Sequence, residues 1–182
     1  MANEYLIKKW RMCFKLMDVK HAGQISREDE KQEEEAYVKL AHLEGKRKEE
    51  VLETSHRLWN NFVFRGKPGP ITEEEFIEMT NTEYKTDKAK FIADMRKDCA
   101  DDVNCFDLKQ QGFVTEEEFI LGCKAAGMEN EKWNRDFFQS FNPTDGKVDV
   151  NVMIEDWVQF LTEDDSSKKD AIMDAMQSYQ NL

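Results

Sequence analysis

One arrangement of residues recurs four times along the chain and constrains its fold more than any other feature. In each copy an apolar helical stripe ends at a short loop with Gly or Pro, one aliphatic residue follows, and a polar residue begins a new helix. The four aliphatic residues are Ile25, Ile71, Val114 and Val148. A single aliphatic residue at this place suits a short backbone ribbon that pairs with a neighbouring loop. The repeat predicts four helix–loop–helix units.

The residues that begin the second helix of the first three units have the spacing of helix caps. In a capping box, a Ser or Thr side chain and an acid three residues later satisfy free backbone N–H groups reciprocally. The pairs with this spacing are Ser26 and Asp29, Thr72 and Glu75, and Thr115 and Glu118. Residues 28–50 fill the longer gap between the first two units, and their acidic run predicts a solvated helix face with Ala36, Leu40 and Leu43 turned inward.

Composition narrows the class of protein. The chain has 182 residues, 40% of them hydrophobic, and a net charge of -12, so we expect one compact globular unit rather than a disordered chain. Because so acidic a protein repels phosphate backbones and anionic lipid, we predict no nucleic-acid partner and no membrane partner. The cysteines have no disulfide or zinc spacing and are expected to be reduced thiols; they are Cys13, Cys99, Cys105 and Cys123.

The amino-terminal residues bear on localisation. The stretch MANEYLIKKWRMCF has charges inside every apolar run, which does not fit a signal peptide, and Ala2 does not fit N-myristoylation. No apolar run approaches the roughly 20 residues that span a bilayer. We therefore expect a cytoplasmic protein, and we expect a monomer.

The repeat resembles the EF-hand, which has Gly at loop position 6, an aliphatic residue at position 8 and an acid at position 12. The four-unit layout is similar to the invertebrate sarcoplasmic calcium-binding proteins and, more distantly, to calexcitin, the coelenterazine-binding proteins and the photoproteins. The resemblance implies an all-α domain of four EF-hand units packed as two pairs. Residues 1–84 would hold units one and two, and residues 85–182 would hold units three and four plus a terminal helix with Ile172, Met176 and Tyr179.

The four loops depart from the ligand pattern of a calcium site, which needs oxygen at positions 1, 3, 5, 7, 9 and 12. They span residues 18–29, 64–75, 107–118 and 141–152 and are called loops one to four. Loop two begins with Phe64 and loop four ends with Val152, so neither can complete a calcium shell. The oxygen donors that remain in loops one and three are Asp18, Asp29, Asp107, Gln111 and Glu118. We predict that calcium binding is weak or absent.

Lysine occupies position 3 in both loops that keep acids at their ends. An ammonium about 4 Å from a divalent ion opposes binding by a few kcal/mol even at an effective dielectric of 20. Lys20 and Lys109 therefore either pair with the acids of their own loops in place of a metal or remain solvated.

The aromatic content predicts what such a fold could do without calcium. The resemblance implies an apolar interior shared by the two pairs, and in coelenterazine-binding proteins this interior holds an aromatic molecule. We predict an interior site for an apolar or aromatic small molecule, with His56 as a polar group. Its residues would be Trp10, Phe14, His56, Trp59, Phe62, Phe106, Trp133, Phe137, Trp157 and Phe160. The competing interpretation is that these aromatic residues only fill a core, as they do in most helical proteins.

Three other functions remain open. The chain could be a residual calcium or magnesium buffer through loop three, or a constitutive interaction protein, since its nine Met residues could line a groove for a helix. An enzyme is the third. No phosphate loop, nucleophile elbow or metalloprotease helix occurs, and all three histidines, His21, His42 and His56, lie in the first third of the chain.

Overall fold

The computed structural model describes residues 1–178, which form helices joined by short loops and two small antiparallel ribbons. The helices are α1 (Glu4–Met17), α2 (Arg27–Leu40), α3 (Gly45–Leu58), α4 (Glu73–Thr86), α5 (Lys88–Phe106), α6 (Glu116–Ala125), α7 (Glu131–Ser140), α8 (Val150–Thr162) and α9 (Ala171–Gln177). The strands are β1 (Gln24–Ile25), β2 (Ile71–Thr72), β3 (Phe113–Thr115) and β4 (Lys147–Asp149).

The ribbons join the helix–loop–helix units in pairs. In the first ribbon Ile25 of β1 lies opposite Ile71 of β2, and in the second Val114 of β3 lies opposite Val148 of β4. All four aliphatic side chains are at most 3% exposed, so each ribbon anchors its loops to the core. This arrangement confirms the predicted all-α domain of four units packed as two pairs.

Capping boxes are present at the starts of three helices, α2, α4 and α6, as the sequence predicts. At the start of α4, the backbone N–H of Glu75 donates to Thr72 Oγ1, and the N–H of Thr72 donates to Glu75 Oε2 at 2.9 Å. The same reciprocal pattern is present at the starts of α2 and α6. Such boxes fix where each helix begins because they satisfy N–H groups that have no partner within the helix.

The first helix of unit two is not a regular α-helix to its end. It continues from α3 into a π-helical segment, Trp59–Phe64, and stops where Arg65 adopts a left-handed conformation with φ 46°. The wider turn brings Trp59, Phe62 and Val63 all onto the buried side, with at most 8% of each exposed. Segments of this kind are rare and occur often at functional sites.

The buried apolar side chains of both halves form one continuous core. Within each pair the outer helices pack together, α1 on α4 and α5 on α8, and α9 closes the fold against α7 and α8. Ile172 and Met176 lie on the predicted terminal helix, α9, and both are fully buried, whereas Tyr179 lies outside the described residues. The division of the chain between residues 84 and 85 stays a prediction.

The prediction for α2 is partly wrong. Leu43 is buried, but Leu40 is 42% exposed and Glu30 is only 4% exposed, so the acidic run does not simply face solvent. Glu30 can be buried because Arg27 donates to its Oε2 at 3.0 Å and His56 Nδ1 lies 2.6 Å from its Oε1. The hydrophobic pattern of α2 could not reveal this, since the partners come from polar side chains.

Candidate functional site

An interior cavity of about 190 Å³ lies between the two pairs of units. Its walls come from α1, α2, α3, the π-helical segment, α5, α6, α7 and α8, and they are mostly apolar. The volume exceeds that of an engineered apolar cavity of about 150 Å³ that holds benzene, and it is smaller than the roughly 300–1,000 Å³ of pockets for drug-sized ligands. A molecule with one or two rings therefore fits the space.

Half of the residues predicted for an interior site line this cavity. They are Trp59, Phe62, Phe106, Phe137 and Trp157. Two of them, Trp59 and Phe62, come from the π-helical segment. The indoles of Trp59 and Trp157 make tryptophan fluorescence a direct probe of the space.

The other predicted aromatic residues are buried in the core away from the cavity lining. Trp10 donates its indole N–H to the carbonyl of Leu161 at 2.8 Å, and its ring packs edge-on against Phe91. The remaining three are Phe14, Trp133 and Phe160. These residues fill space between helices, as the competing interpretation expects of aromatic residues at helical spacing.

The structure places His56 outside the cavity, with a side chain that is 68% exposed. Its Nδ1 contacts Glu30, and one ligand atom each of Glu30, Glu34 and His56 lie within 4.8 Å of one another. Both carboxylate oxygens of Glu30 are already engaged, by Arg27 and by His56. We therefore describe this cluster as an ion-pair network rather than a metal site.

Four carboxyl groups line the apolar cavity, and the sequence analysis missed all of them. Glu33 and Glu34 come from α2, and Asp98 and Asp102 come from α5. The sequence did contain a sign of the inward position of Asp102. It lies three residues after Cys99 and four before Phe106, which places it on the apolar stripe of α5.

The environment raises the pKa of each of these carboxyl groups. Burial raises the pKa of Asp102 to about 7, with a further contribution from the charge of Asp101. Burial also raises the pKa of Glu33 to about 8, helped by the charges of Asp102 and Glu34. For Asp98, burial raises the pKa to about 6. Raised pKa values of this size follow from placing an anion in a medium that solvates it poorly.

Loop one is occupied by its own lysine. The Lys20 ammonium lies 2.5 Å from Asp29 Oδ1 and 2.7 Å from Gln32 Oε1, so of the two alternatives left open by the sequence, Lys20 pairs within its own loop. Partial burial raises the pKa of Asp29, but hydrogen bonds from Lys20 and Ser26 outweigh this and lower it overall. Asp18, the first acid of the loop, accepts the backbone N–H groups of Ala22 and Gly23. The Lys20 ammonium beside Asp29 is the feature of loop one that opposes a cation.

Loop three keeps the geometry of a calcium loop at both ends. Asp107 accepts the backbone N–H groups of Gln111 at 2.9 Å and Gly112 at 2.7 Å, and Gly112 has the positive φ, 81°, that this sharp turn requires. Glu118 is held by the backbone N–H and hydroxyl of Thr115. Lys109 is exposed and, within residues 1–178, makes no ion pair with Asp107 or Glu118.

Loops two and four are built from side chains that cannot coordinate a cation at the key positions. Phe64, at the first position of loop two, is fully buried, and the Arg27 guanidinium lies 3.8 Å from its ring centre. Val152, at the last position of loop four, is 48% exposed and has no oxygen in its side chain. A divalent ion would lack its bidentate ligand in loop four and its first ligand in loop two.

The described surface offers little for a helix-binding groove. Among residues 1–178, the large hydrophobic side chains that are well exposed are Met1, Leu40 and Val152. Most of the methionines are buried or half-buried, so they do not form an open apolar groove on this part of the chain. None of the helices described is both long enough and apolar enough to cross a bilayer.

Comparisons with known proteins agree with this architecture. No family model matches the chain. Among curated proteins, the sarcoplasmic calcium-binding protein of Mizuhopecten yessoensis is 30% identical over 177 residues, which cover 97% of this chain and 100% of that protein.

Several solved structures have a similar fold. The calcium-loaded apo form of the coelenterazine-binding protein of Renilla muelleri has a TM-score of 0.72 and 21% identity, covering 94% of this chain and 93% of its own. A sarcoplasmic calcium-binding protein from amphioxus has a TM-score of 0.64 and 19% identity, covering 98% and 100%. These two structures show the fold that the chain shares. The Mizuhopecten yessoensis relative, which is 30% identical over nearly the whole of both chains, shows that the chain belongs to the sarcoplasmic calcium-binding protein family.

Proposed function

We propose that this protein binds a small apolar or aromatic molecule in its interior cavity and needs no calcium to do so. The observation that carries the proposal is the cavity itself, about 190 Å³ of mostly apolar space between the two pairs of units. Closely packed cores contain few voids larger than a water molecule, so a space of this size is unusual for residues that serve only as core.

Two kinds of evidence support independence from calcium. Loops two and four lack essential oxygen ligands, and in loop one Lys20 occupies the place of the cation beside Asp29. Among proteins of similar fold, one is named for binding coelenterazine and another is apoaequorin in complex with (S)-HM-daCTZ. These names support the binding of a small molecule, and the side chains of the loops support the loss of strong calcium binding.

A titration with naphthalene in EGTA tests the proposal, because a neutral two-ring molecule probes the space alone. We expect saturable quenching or a shift of tryptophan fluorescence, since Trp59 and Trp157 line the cavity. Ala126→Leu adds three carbon atoms to the cavity wall and should weaken binding at least tenfold. The control Ala171→Leu makes the same change at the start of α9, outside the lining, and should leave binding intact. Equal affinity in all three proteins would contradict an interior site.

A second function, weak calcium or magnesium buffering, is favoured by one observation in loop three. The carboxyl groups of Asp107 and Glu118 are already held in place by backbone N–H groups, and Lys109 points to no partner among the described residues. Lysine at this position still opposes a cation electrostatically.

Replacing that lysine tests the second function. Lys109→Asp changes the charge beside a divalent ion by two units, each worth about 2 kcal/mol at 4 Å in water. Because salt screens part of this energy, we expect calcium affinity to rise at least 30-fold. Lys97→Asp changes the net charge equally at an exposed position on α5 and serves as the control. If calorimetry gives the same calcium affinity for both variants, loop three has no latent calcium site.

We propose further that the protein acts as a cytoplasmic monomer and that residues 1–84 and 85–182 are its two EF-hand pairs. The small number of exposed large hydrophobic side chains within residues 1–178 supports the monomer. A mass near 21.5 kDa by light scattering is expected, and a mass of twice this value would contradict it.

A further inference from the structure

Two of the four carboxyl groups of the cavity, Asp102 and Glu33, have no partner in the part of the chain that the structure describes. Within residues 1–178 neither makes a hydrogen bond or an ion pair, although both are half-buried and both line the cavity. Buried acids are normally paired or hydrogen-bonded, because an isolated buried charge is costly. Two unpaired acids in one apolar space therefore need an explanation.

The nearby arginines bind other groups. Arg57 donates hydrogen bonds of 2.9 and 3.0 Å to Asp101. Arg47 donates to the backbone carbonyls of Asn104 and Asp107. Arg65 donates to Glu83 at 3.0 Å and to Thr80 at 2.9 Å, although its charge still acts on Asp98. The fold thus keeps its own cations out of the cavity while it places several acids inside.

We propose that the ligand of this cavity carries a basic nitrogen, in the form of a one-ring or two-ring arylalkylamine whose ammonium group lies against Asp102 and Glu33. The inference rests on the proposed function, since it names the chemical class that the interior site prefers. The aromatic part would occupy the space between Trp59, Phe106 and Trp157. The volume of about 190 Å³ limits the ligand to this size.

The proton balance of binding follows from the state of the acids. Asp102, with a pKa of about 7, and Glu33, with a pKa of about 8, hold protons for much of the time at neutral pH. An arriving ammonium favours the charged carboxylate, so protons leave the cavity as the amine binds. Affinity for the amine should therefore rise between pH 6 and pH 8.5, because the amine stays protonated throughout this range while the acids ionise.

Other titratable groups around Asp102 do not compete for this role. The titratable groups on α5 itself are Asp98, Cys99, Asp101 and Cys105. The neighbouring helices contribute Cys13 of α1, Glu33, Glu34 and Tyr37 of α2, and Cys123 of α6. The charges of Arg47 and Arg65 also act in this region. Burial raises the pKa of the Cys13 and Cys105 thiols to about 12, and it raises the pKa of Cys99, Cys123 and Tyr37 as well. These five groups stay neutral between pH 6 and pH 8.5. His56 of α3 lies near Glu34 but contacts Glu30 outside the cavity. The groups of the cavity lining that titrate in this range are therefore the carboxyl groups.

A pair of probes of equal size tests the inference. We expect 2-phenylethylamine to bind at least tenfold tighter than 2-phenylethanol at pH 8.5, and we expect a smaller ratio of the two dissociation constants at pH 6. In Asp102→Asn the two constants should agree within twofold, and in Glu33→Gln their ratio should fall in part. The exposed control Asp145→Asn should keep the ratio of the unchanged protein. In calorimetry, the amine alone should show a binding enthalpy that depends on the ionisation heat of the buffer, because it alone releases protons.

The outcomes separate this inference from the proposed function. If the alcohol binds as tightly as the amine, or if naphthalene binds and neither phenylethyl probe does, the basic nitrogen is wrong while the apolar site stands. If naphthalene, the amine and the alcohol all fail to bind, the proposed function is wrong and the inference falls with it. An amine preference that Asp102→Asn leaves unchanged in a folded protein places the ammonium elsewhere and also overturns the inference.

Discussion

Removing the charge of Asp102 should stabilise the folded protein, and by more at high pH than at low pH. Its pKa rises from an ordinary value near 4 to about 7 because it is buried beside Asp101. A carboxyl group with a raised pKa takes up a proton on folding, so its contribution to the free energy of unfolding falls as pH rises from about 4 through 7. Three pKa units correspond to about 4 kcal/mol when the group is fully ionised.

The comparison between two pH values isolates this effect from any change in packing. At pH 5 the charge of Asp102 already costs about a third of the 4 kcal/mol that it costs when fully ionised. The stability advantage of Asp102→Asn over the unchanged protein should therefore be about 3 kcal/mol larger at pH 8.5 than at pH 5. Urea unfolding at both pH values, with the exposed control Asp145→Asn, measures the difference. A gain that stays constant with pH, or that matches the control, would refute the argument that Asp102 is buried without a cation.

Three further substitutions test the packing, each by urea unfolding. Replacing Gly by Ala within a helix normally raises the free energy of unfolding by about 1 kcal/mol, but the Cβ of Gly122→Ala would lie 2.2 Å from the Phe106 ring. We therefore expect a net loss of about 1 kcal/mol, and a gain would contradict the close contact. Lys9→Met leaves Asp170, 3.1 Å from the buried ammonium, without its partner and should cost about 3–5 kcal/mol; a loss below 1 kcal/mol would show that the pair is dispensable. Thr115→Ala removes the cap of α6 and should cost about 1 kcal/mol, whereas no loss would mean that the helix start does not depend on it.

Features that depend on neighbours along the chain could be predicted from the sequence. The capping boxes at Ser26, Thr72 and Thr115 were predictable because the interacting groups lie three residues apart. The two ribbons followed from a single aliphatic residue after each loop. The π-helical segment was not predictable in the same way, because its wider turn is stabilised by packing of Trp59 and Phe62 against distant helices.

The interior site was predictable only on its apolar side. Helical spacing identified Phe106 and Trp157 as inward-facing, yet the same spacing could not separate residues that line a cavity from residues such as Trp10 that fill the core. The carboxyl groups of Glu33 and Asp102 were missed because hydrophobic patterns treat charged residues as solvent-facing. Their inward position depends on tertiary packing of α2 and α5.

Lys20 and Lys109 show a similar limit in the loops. Both lie at position 3, and the sequence left open whether each pairs within its loop. Lys20 does pair with Asp29, because Gln32 on the next turn of α2 offers it a second oxygen. Lys109 does not pair within residues 1–178, where its loop presents an exposed surface. Identical loop positions thus adopt different states because the neighbouring helix faces differ.

The most direct measurement of the central claim is the dissociation constant of naphthalene in EGTA and in excess calcium, followed by tryptophan fluorescence. The apolar cavity lies between helices, and Lys20, Phe64 and Val152 stand at ligand positions of loops one, two and four. We therefore expect saturable binding with dissociation constants that agree within twofold in the two solutions. Binding that appears only with calcium, or no binding in either solution, would contradict a calcium-independent interior site.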